Sequence, residues 1–314
     1  MKKPLIILTG PTAVGKTELS IKLAQEINGE IISADSMQVY QYMDIGTAKI
    51  KPDEMGGIKH YLIDELHPSE DFNVVKFQEL TLKYMDEIYQ KGKIPIIVGG
   101  TGFYIQSVLY EIDFKENGED NSFRKQLEEL AIEKGNSFLH EQLEKVDKES
   151  ALAIHPNNVK KVIRALEYYE QTGSKISEHN MEQRENQSPY NFCYFVLNNE
   201  REILYERINK RVDLMLEQGL VNEVKHLLDM GCTKDMVSMQ GLGYKEIVAY
   251  LDGEITLEEA IYILKRDTRH FAKRQLTWFK REKDVTWVNK KEYNNDENKI
   301  LDDMLSVLKL KEII

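Results

Sequence analysis

The sequence predicts an α/β fold, a parallel sheet flanked by helices and interrupted by an all-helical insertion. Three observations carry this expectation. Leu5-Ile6-Ile7-Leu8 and Ile94-Pro95-Ile96-Ile97-Val98 are continuous apolar runs, the pattern of strands buried on both faces. Strand patterns alternate with helical ones, which implies a doubly wound core. From about residue 121 to 173 the pattern is helical, with no convincing strand.

Each element follows from local signals. After the first strand, Leu19, Leu23 and Ile27 recur at helical spacing and the pattern stops at Asn28-Gly29. Residues 30–33 read as a second strand. Residues 74–89 carry a long helical pattern ended by Gly92. Pro95 sits near the start of its strand, where a missing donor costs least. Asn117-Gly118 and Thr172-Gly173-Ser174 punctuate the helical block, and residues 191–197 return to strand character. The domain boundaries are therefore 1–114 plus 191–314 for the α/β core and 115–190 for the helical insertion. Helices follow over 200–230, broken at Gly219. Thr256-Leu257-Glu258-Glu259 is a capping-box pattern opening a helix that runs towards Arg281. Val285-Thr286-Trp287-Val288 reads as a final strand, and Trp278 and Trp287 read as core.

Composition narrows the function classes. The chain has 314 residues and a net charge of −11, which argues against a generally basic nucleic-acid binder but leaves room for a local basic face. Cys193 and Cys232 are isolated, so a disulfide framework or cysteine zinc site is not expected. His60, His67 and His155 lack metal-ligand spacing. The first apolar run is too short for a signal or membrane segment, and a cytoplasmic protein is expected.

Gly10-Pro11-Thr12-Ala13-Val14-Gly15-Lys16-Thr17 fits G-x-x-x-x-G-K-[ST] between a strand and a helix. In that context the glycines let backbone N–H groups converge on phosphate oxygens, aided by the helix N-terminus. Lys16 supplies a point charge and Thr17 can ligate Mg²⁺. The expected core is thus P-loop NTPase-like. The motif does not choose between a nucleotide and a diphosphate ester.

Asp35-Ser36 follows the second strand directly, and the carboxyl ends of parallel strands face one ligand crevice. Asp35 is a candidate general base, magnesium ligand or helix N-cap. The strand at 94–98 ends in Gly99-Gly100-Thr101-Gly102, where NTPases often carry an acidic residue for magnesium. That departure weakens an ordinary NTPase reading.

With these blocks assembled, the chain resembles the tRNA dimethylallyltransferase (tRNA isopentenyltransferase) family. The blocks are the phosphate loop; Ser33-Ala34-Asp35-Ser36-Met37-Gln38-Val39-Tyr40 with Met43-Asp44-Ile45-Gly46-Thr47-Ala48-Lys49; and Val98-Gly99-Gly100-Thr101-Gly102-Phe103-Tyr104. Further along come His155-Pro156-Asn157 with Arg164-Ala165-Leu166-Glu167, then Ser238-Met239-Gln240-Gly241-Leu242-Gly243-Tyr244-Lys245-Glu246. Thr268-Arg269, Ala272-Lys273-Arg274-Gln275 and Thr277-Trp278-Phe279 complete the set. Gln41-Tyr42 stands where Arg-Gly is frequent and His270 where an aromatic or amide is common.

The resemblance implies transfer of a dimethylallyl group from dimethylallyl diphosphate to the exocyclic amine of the adenine 3′ of the anticodon. The phosphate loop would hold the diphosphate leaving group, with Lys16, Arg211 and Mg²⁺ stabilising its charge. Asp35 would act as base or hydrogen-bond orienter for the amine, with Thr101 beside it. The implied tRNA-binding residues are Asp35, Ser36, Met37, Gln38 and Thr101 near the target adenine, and Arg124, Lys160, Lys161, Val162, Ile163 and Arg164 in the insertion. Gln240, Gly241, Leu242, Gly243, Tyr244 and Lys245, with Arg269, Lys273 and Arg274, complete them. An adenine in a stacked loop reaches such a crevice only by leaving the stack. A monomer is expected. The alternatives are a P-loop kinase or AMP/ATP prenyltransferase and, in another class, a non-catalytic RNA-binding ATPase.

Overall fold

The computed structural model describes residues 2–114 and 122–314. In chain order the elements are β1 Pro4–Thr9, α1 Lys16–Glu26, β2 Gly29–Ala34, β3 His60–Tyr61, α2 Val74–Gln90, β4 Ile94–Gly99, α3 Gly102–Leu109, α4 Ser122–Lys134, α5 Asn136–Val146 and α6 Lys148–Ala153. There follow α7 Val159–Thr172, α8 Ile176–Glu185, β5 Asn191–Asn198, α9 Arg201–Glu217, α10 Leu220–Asp229, α11 Tyr244–Leu251, α12 Leu257–Phe279, β6 Val285–Asn289 and α13 Glu297–Leu310. The described chain divides into two compact units, Met1–Leu109 with Pro189–Ile314, and Tyr110–Ser188.

The first unit is built on a sheet of order β3-β2-β4-β1-β5-β6, with every ladder parallel. β1 lies between β4 and β5, and its Leu5, Ile6, Ile7 and Leu8 are fully buried. That placement explains an apolar run without alternation, because both faces of the strand are covered. The chain leaves β1 towards β2 on one side and returns from β4 to β5 on the other. Such a reversal opens a crevice at the carboxyl ends of the strands. On one face α1 packs Leu19 and Leu23 into a core with Ile300, Met304 and Leu308 of α13.

Helix boundaries follow the chemistry of their ends. The Asn73 side chain accepts from Val75 N and Lys76 N, both at 3.0 Å, and starts α2. Thr256 and Glu259 form the expected reciprocal capping box of α12. Gly219 separates α9 from α10 in a left-handed conformation (φ 101°). Four elements, β3, α3, α11 and α13, had no counterpart in the sequence reading. β3 has two residues, too few to print a pattern. α3 begins at Gly102, directly after the glycine-rich strand end, and α13 follows the last strand.

The second unit is helical, with a core of Leu127, Leu139, Leu143, Val162, Ile163 and Leu166. Asp147 closes it: its carboxylate accepts Ser150 N (3.0 Å), Ser150 Oγ (2.7 Å), Ser177 N (2.9 Å) and Ser177 Oγ (2.7 Å). Burial works against the Asp147 anion, and these donors outweigh it, holding the carboxyl below its usual range. Asn117-Gly118, expected to punctuate the insertion, lies outside the described residues.

Candidate active site

The phosphate loop follows β1 at the crevice end of the sheet. Gly15 takes a left-handed conformation (φ 96°) at the head of α1, which a side chain would strain. Lys16 Nζ folds back to donate to Gly10 O (3.0 Å) and Pro11 O (2.9 Å). Burial, and then the neighbouring Arg211 guanidinium, lower the Lys16 ammonium to about 8, while Asp35 opposes them. Arg211, on α9, reaches Thr12 Oγ1 at 3.5 Å; burial lowers its pKa too, again with Asp35 opposing. Two cations lowered by burial beside the loop leave this end of the sheet electropositive. Thr17 is exposed in the first turn of α1.

Two residues brace this loop from far along the sequence. Gln275, buried on α12, accepts Thr12 N at 2.9 Å and donates to Gly100 O at 3.0 Å. Lys290, buried after β6, donates to Val14 O at 3.4 Å and pairs with Glu297 at 2.9 Å. An N–H nest needs its carbonyls turned away and satisfied. Lys16 supplies donors for Gly10 and Pro11, and Lys290 does so for Val14.

Asp35 ends the β2 side of the crevice. Its Oδ1 accepts Met37 N (2.9 Å) and Gln38 N (3.4 Å) and ties a turn; no helix starts at Asp35, so the N-cap role left open by the sequence is not realised. Its influence on Lys16 and Arg211 puts it in the same electrostatic site. At the neighbouring strand end, Thr101 N donates to Ala34 O at 3.3 Å, which joins the Gly-Gly-Thr turn to the residue before Asp35.

The segment after Asp35 is held by Glu223 of α10. Its carboxylate accepts Asp44 N (2.9 Å), Ile45 N (2.7 Å) and Gly46 N (3.0 Å), and Tyr244 OH at 2.7 Å. Gln38 Nε2 donates to Thr47 O at 3.2 Å. The blocks at 36–49 and 240–246 are thereby brought together, although Glu223 carried no motif signal.

The basic candidates separate by geometry. Lys160, Lys161 and Arg164 are exposed on α7. Val162 and Ile163, named with them, are 0% and 3% exposed and pack the helical core, so their side chains offer no surface to RNA. Helical geometry explains the correction: Lys160, Lys161 and Arg164 share one side of α7, and Val162 and Ile163 point away from it into the core. Arg124 forks onto the buried Glu167 carboxylate at 2.9 and 2.6 Å, a structural pairing. Tyr244 is likewise fully buried, with Gly241 and Gly243, while Gln240 and Lys245 are exposed. On α12, Arg269 donates to Asn209 Oδ1 at 2.7 Å. Lys273 and Arg274 line an open groove of about 460 Å³ with His270, Thr277, Trp278 and Arg281. Trp278, read as core, is therefore half-buried against this groove.

The family model for IPP transferase matches residues 38–282. The chain belongs to the IPP transferase family. A tRNA dimethylallyltransferase of Lachnoclostridium phytofermentans is 64% identical over 312 residues, 99% of each chain, and one of Acetivibrio thermocellus is 56% identical over 293 residues, 93% of this chain and 94% of that one. Among solved structures, the full-length tRNA isopentenylpyrophosphate transferase of Bacillus halodurans superposes with a TM-score of 0.74 at 45% identity, covering 99% of this chain and 98% of that chain. A eukaryotic dimethylallyltransferase described as acting on tRNA gives a TM-score of 0.79 at 32% identity, over 91% of this chain and 74% of that chain. The expected family and P-loop-like α/β fold both hold. The matched span of the IPP transferase model leaves out the phosphate loop, Asp35 and Lys290, whereas the relative that is 64% identical aligns over 99% of the chain.

Proposed function

We propose that this chain is a tRNA dimethylallyltransferase, moving the dimethylallyl group of dimethylallyl diphosphate to N6 of the adenine 3′-adjacent to the anticodon and releasing diphosphate. The observation that carries the reading is one crevice holding two under-neutralised cations, Lys16 and Arg211, together with a single carboxylate, Asp35, and a Gly-Gly-Thr strand end. A diphosphate leaving group needs the cations, and an amine acceptor needs the carboxylate. Family membership and relatives named tRNA dimethylallyltransferase support the same reaction.

The chemistry follows from these groups. The adenine nitrogen forms a bond to the allylic carbon as the C–O bond to diphosphate breaks. Negative charge grows on the diphosphate oxygens, where Lys16, Arg211 and the loop N–H groups meet it. An aromatic amine is a feeble acid, so the Asp35 carboxylate orients its N–H and takes the proton as the C–N bond forms. Thr101 hydrogen-bonds the same region.

The donor set fits Mg²⁺ arriving with the diphosphate. Thr17 offers an exposed hydroxyl, and among the described residues no cluster of three or more His, Cys, Asp or Glu side chains forms a protein cage. Thr17, diphosphate oxygens and water would hold the ion. When bound, it would neutralise the leaving-group oxygens.

The anticodon arm is proposed to meet Lys160, Lys161 and Arg164, the exposed Gln240 and Lys245, and the groove carrying Lys273 and Arg274. Action as a monomer in the cytoplasm completes the proposal. The monomer draws on exposed large apolar side chains that are scattered along the chain, such as Ile132, Leu152 and Leu310.

The test is incubation of the protein with Mg²⁺, labelled dimethylallyl diphosphate and an anticodon stem-loop, with parallel tubes lacking the target adenine or offering AMP. Label in RNA that requires the adenine is the expected result. Label in AMP alone, or ATP-dependent phosphorylation, would overturn it. Asp35→Ala should keep stem-loop binding and lose most turnover; near-normal turnover would remove Asp35 from the mechanism.

A further inference from the structure

We infer that Gln275 is a positioning residue that fixes the distance between the donor-binding loop and the acceptor-binding strand end. The inference rests on the transferase reading above and names a part of it that no sequence block had assigned a role.

The two sides of the reaction come from different strands. The diphosphate side is the loop after β1, and the adenine side is built by Asp35 and Thr101 after β2 and β4. Gln275 touches both. Its Oε1 accepts Thr12 N at 2.9 Å, and its Nε2 donates to Gly100 O at 3.0 Å, one residue before Thr101. The amide is 6% exposed, so neither contact competes with bulk water. Its orientation is forced. Thr12 presents only an N–H and Gly100 only a carbonyl, so exchanging the amide oxygen and nitrogen would break both bonds.

The strand end is shaped to receive this side chain. A Cβ on Gly100 would collide with the Gln275 amide nitrogen and push that side chain off its partners. Thr101 N in turn donates to Ala34 O at 3.3 Å, beside Asp35. One side chain of α12 therefore links Thr12, Gly100, Thr101 and, through Ala34, the start of the Asp35 turn. Thr12 also meets Arg211 at 3.5 Å, so the strut reaches the cation on the leaving-group side. Gln275 touches no reacting atom in this account. It sets the approach of the attacking nitrogen to the allylic carbon, a bimolecular geometry in which a displacement of about 1 Å can cost on the order of a hundredfold in rate.

The test compares Gln275→Met and Gln275→Glu with the wild-type enzyme in single-turnover and steady-state prenyl transfer to a stem-loop, with pyrophosphate and stem-loop binding measured separately. Gln275→Met keeps the volume and loses both hydrogen bonds. It is expected to lower kcat by about 10- to 100-fold while KM for each substrate stays within about threefold. A residue that only stabilised the fold would not give that split. Gln275→Glu supplies a second readout. An ionised carboxylate repels Gly100 O, whereas the protonated acid restores both bonds, so the ratio of its kcat to the wild-type kcat should rise as pH falls. The Gln275→Met ratio should stay flat with pH. If Gln275→Met does not fold, the Gln275→Glu profile decides alone. A flat Gln275→Glu ratio, or wild-type kcat in Gln275→Met, would overturn the inference. Absence of transfer by the wild-type enzyme would instead overturn the function on which it rests.

Discussion

The sheet carries buried charge at both ends, and the two ends treat it in opposite ways. At the amino end of β2, Glu30 is 4% exposed and accepts Lys93 (2.8 Å), Lys91 (3.2 Å) and Tyr61 OH (2.7 Å). Burial works to raise its carboxyl, and those donors outweigh burial and hold it below the usual range. At the carboxyl end, Lys16 and Arg211 face each other with Asp35 as their main counter-charge, and both are lowered by burial. One end satisfies its charges with the fold's own residues. The other holds back compensation that an anionic ligand can supply. Shifted pKa values with opposite meanings thus separate a structural ion cluster from a reactive one.

That contrast can be broken from the reactive end first. Lys16→Met should lower prenyl transfer by about 10²- to 10³-fold, because it removes a cation aimed at developing charge. Its thermal midpoint should change little, since removal of a buried ammonium offsets the loss of its donors to Gly10 O and Pro11 O. Activity retained alongside a lower midpoint would mean that Lys16 belongs with the structural charges.

The second expectation concerns pH. Lys16 titrates near 8 in the free protein, and an anion favours its charged form. The Lys16 contribution to pyrophosphate affinity, on top of the ligand's own titration, should therefore be flat below about pH 8 and fall by up to about tenfold per unit above it, the slope of one linked proton. Calorimetry across that range reads the slope directly. Lys16→Met should remove it, and an unchanged slope in that variant would assign the proton to another group.

The smallest effect is expected at the structural end. Glu30→Gln should cost about 1–2 kcal/mol of stability, discounted because its lysine partners are partly exposed, and leave kcat unaltered. The sign follows from a depressed folded pKa. The contribution is present above the ordinary glutamate value of 4.5 and is lost as pH falls through the folded value. Denaturant titrations of the two proteins should accordingly converge in acid, and a difference that grows there would contradict the pairing.

What was legible in the sequence was what neighbouring residues decide. The phosphate loop, its flanking strand and helix, the capping box at Thr256 and the break at Gly219 all depend on spacings of a few residues. The two-residue β3 has too little chain to show a period. Glu223, Gln275 and Lys290 were not legible for a different reason. Their partners in the segments after β1, β2 and β4 lie 175 to 276 residues away, so no local pattern marks those contacts. Gln275 did stand inside a quoted block, yet its role exists only where Thr12 and Gly100 meet. Val162 and Ile163 were assigned to RNA by adjacency to lysines, whereas helical geometry sends them into the core.

The braces of the phosphate loop also bear on the order in which the protein matures. Thr12 and Val14 are synthesised long before their partners Gln275 and Lys290, which follow 263 and 276 positions later. A ribosome must add both long intervening stretches before the loop receives either support. The strand and helix around the loop can collapse early, but the donor site is finished by contacts of very long sequence separation, which form late in folding. Premature termination after the crevice residues would therefore leave a chain that carries the motif without the scaffold that makes it a site.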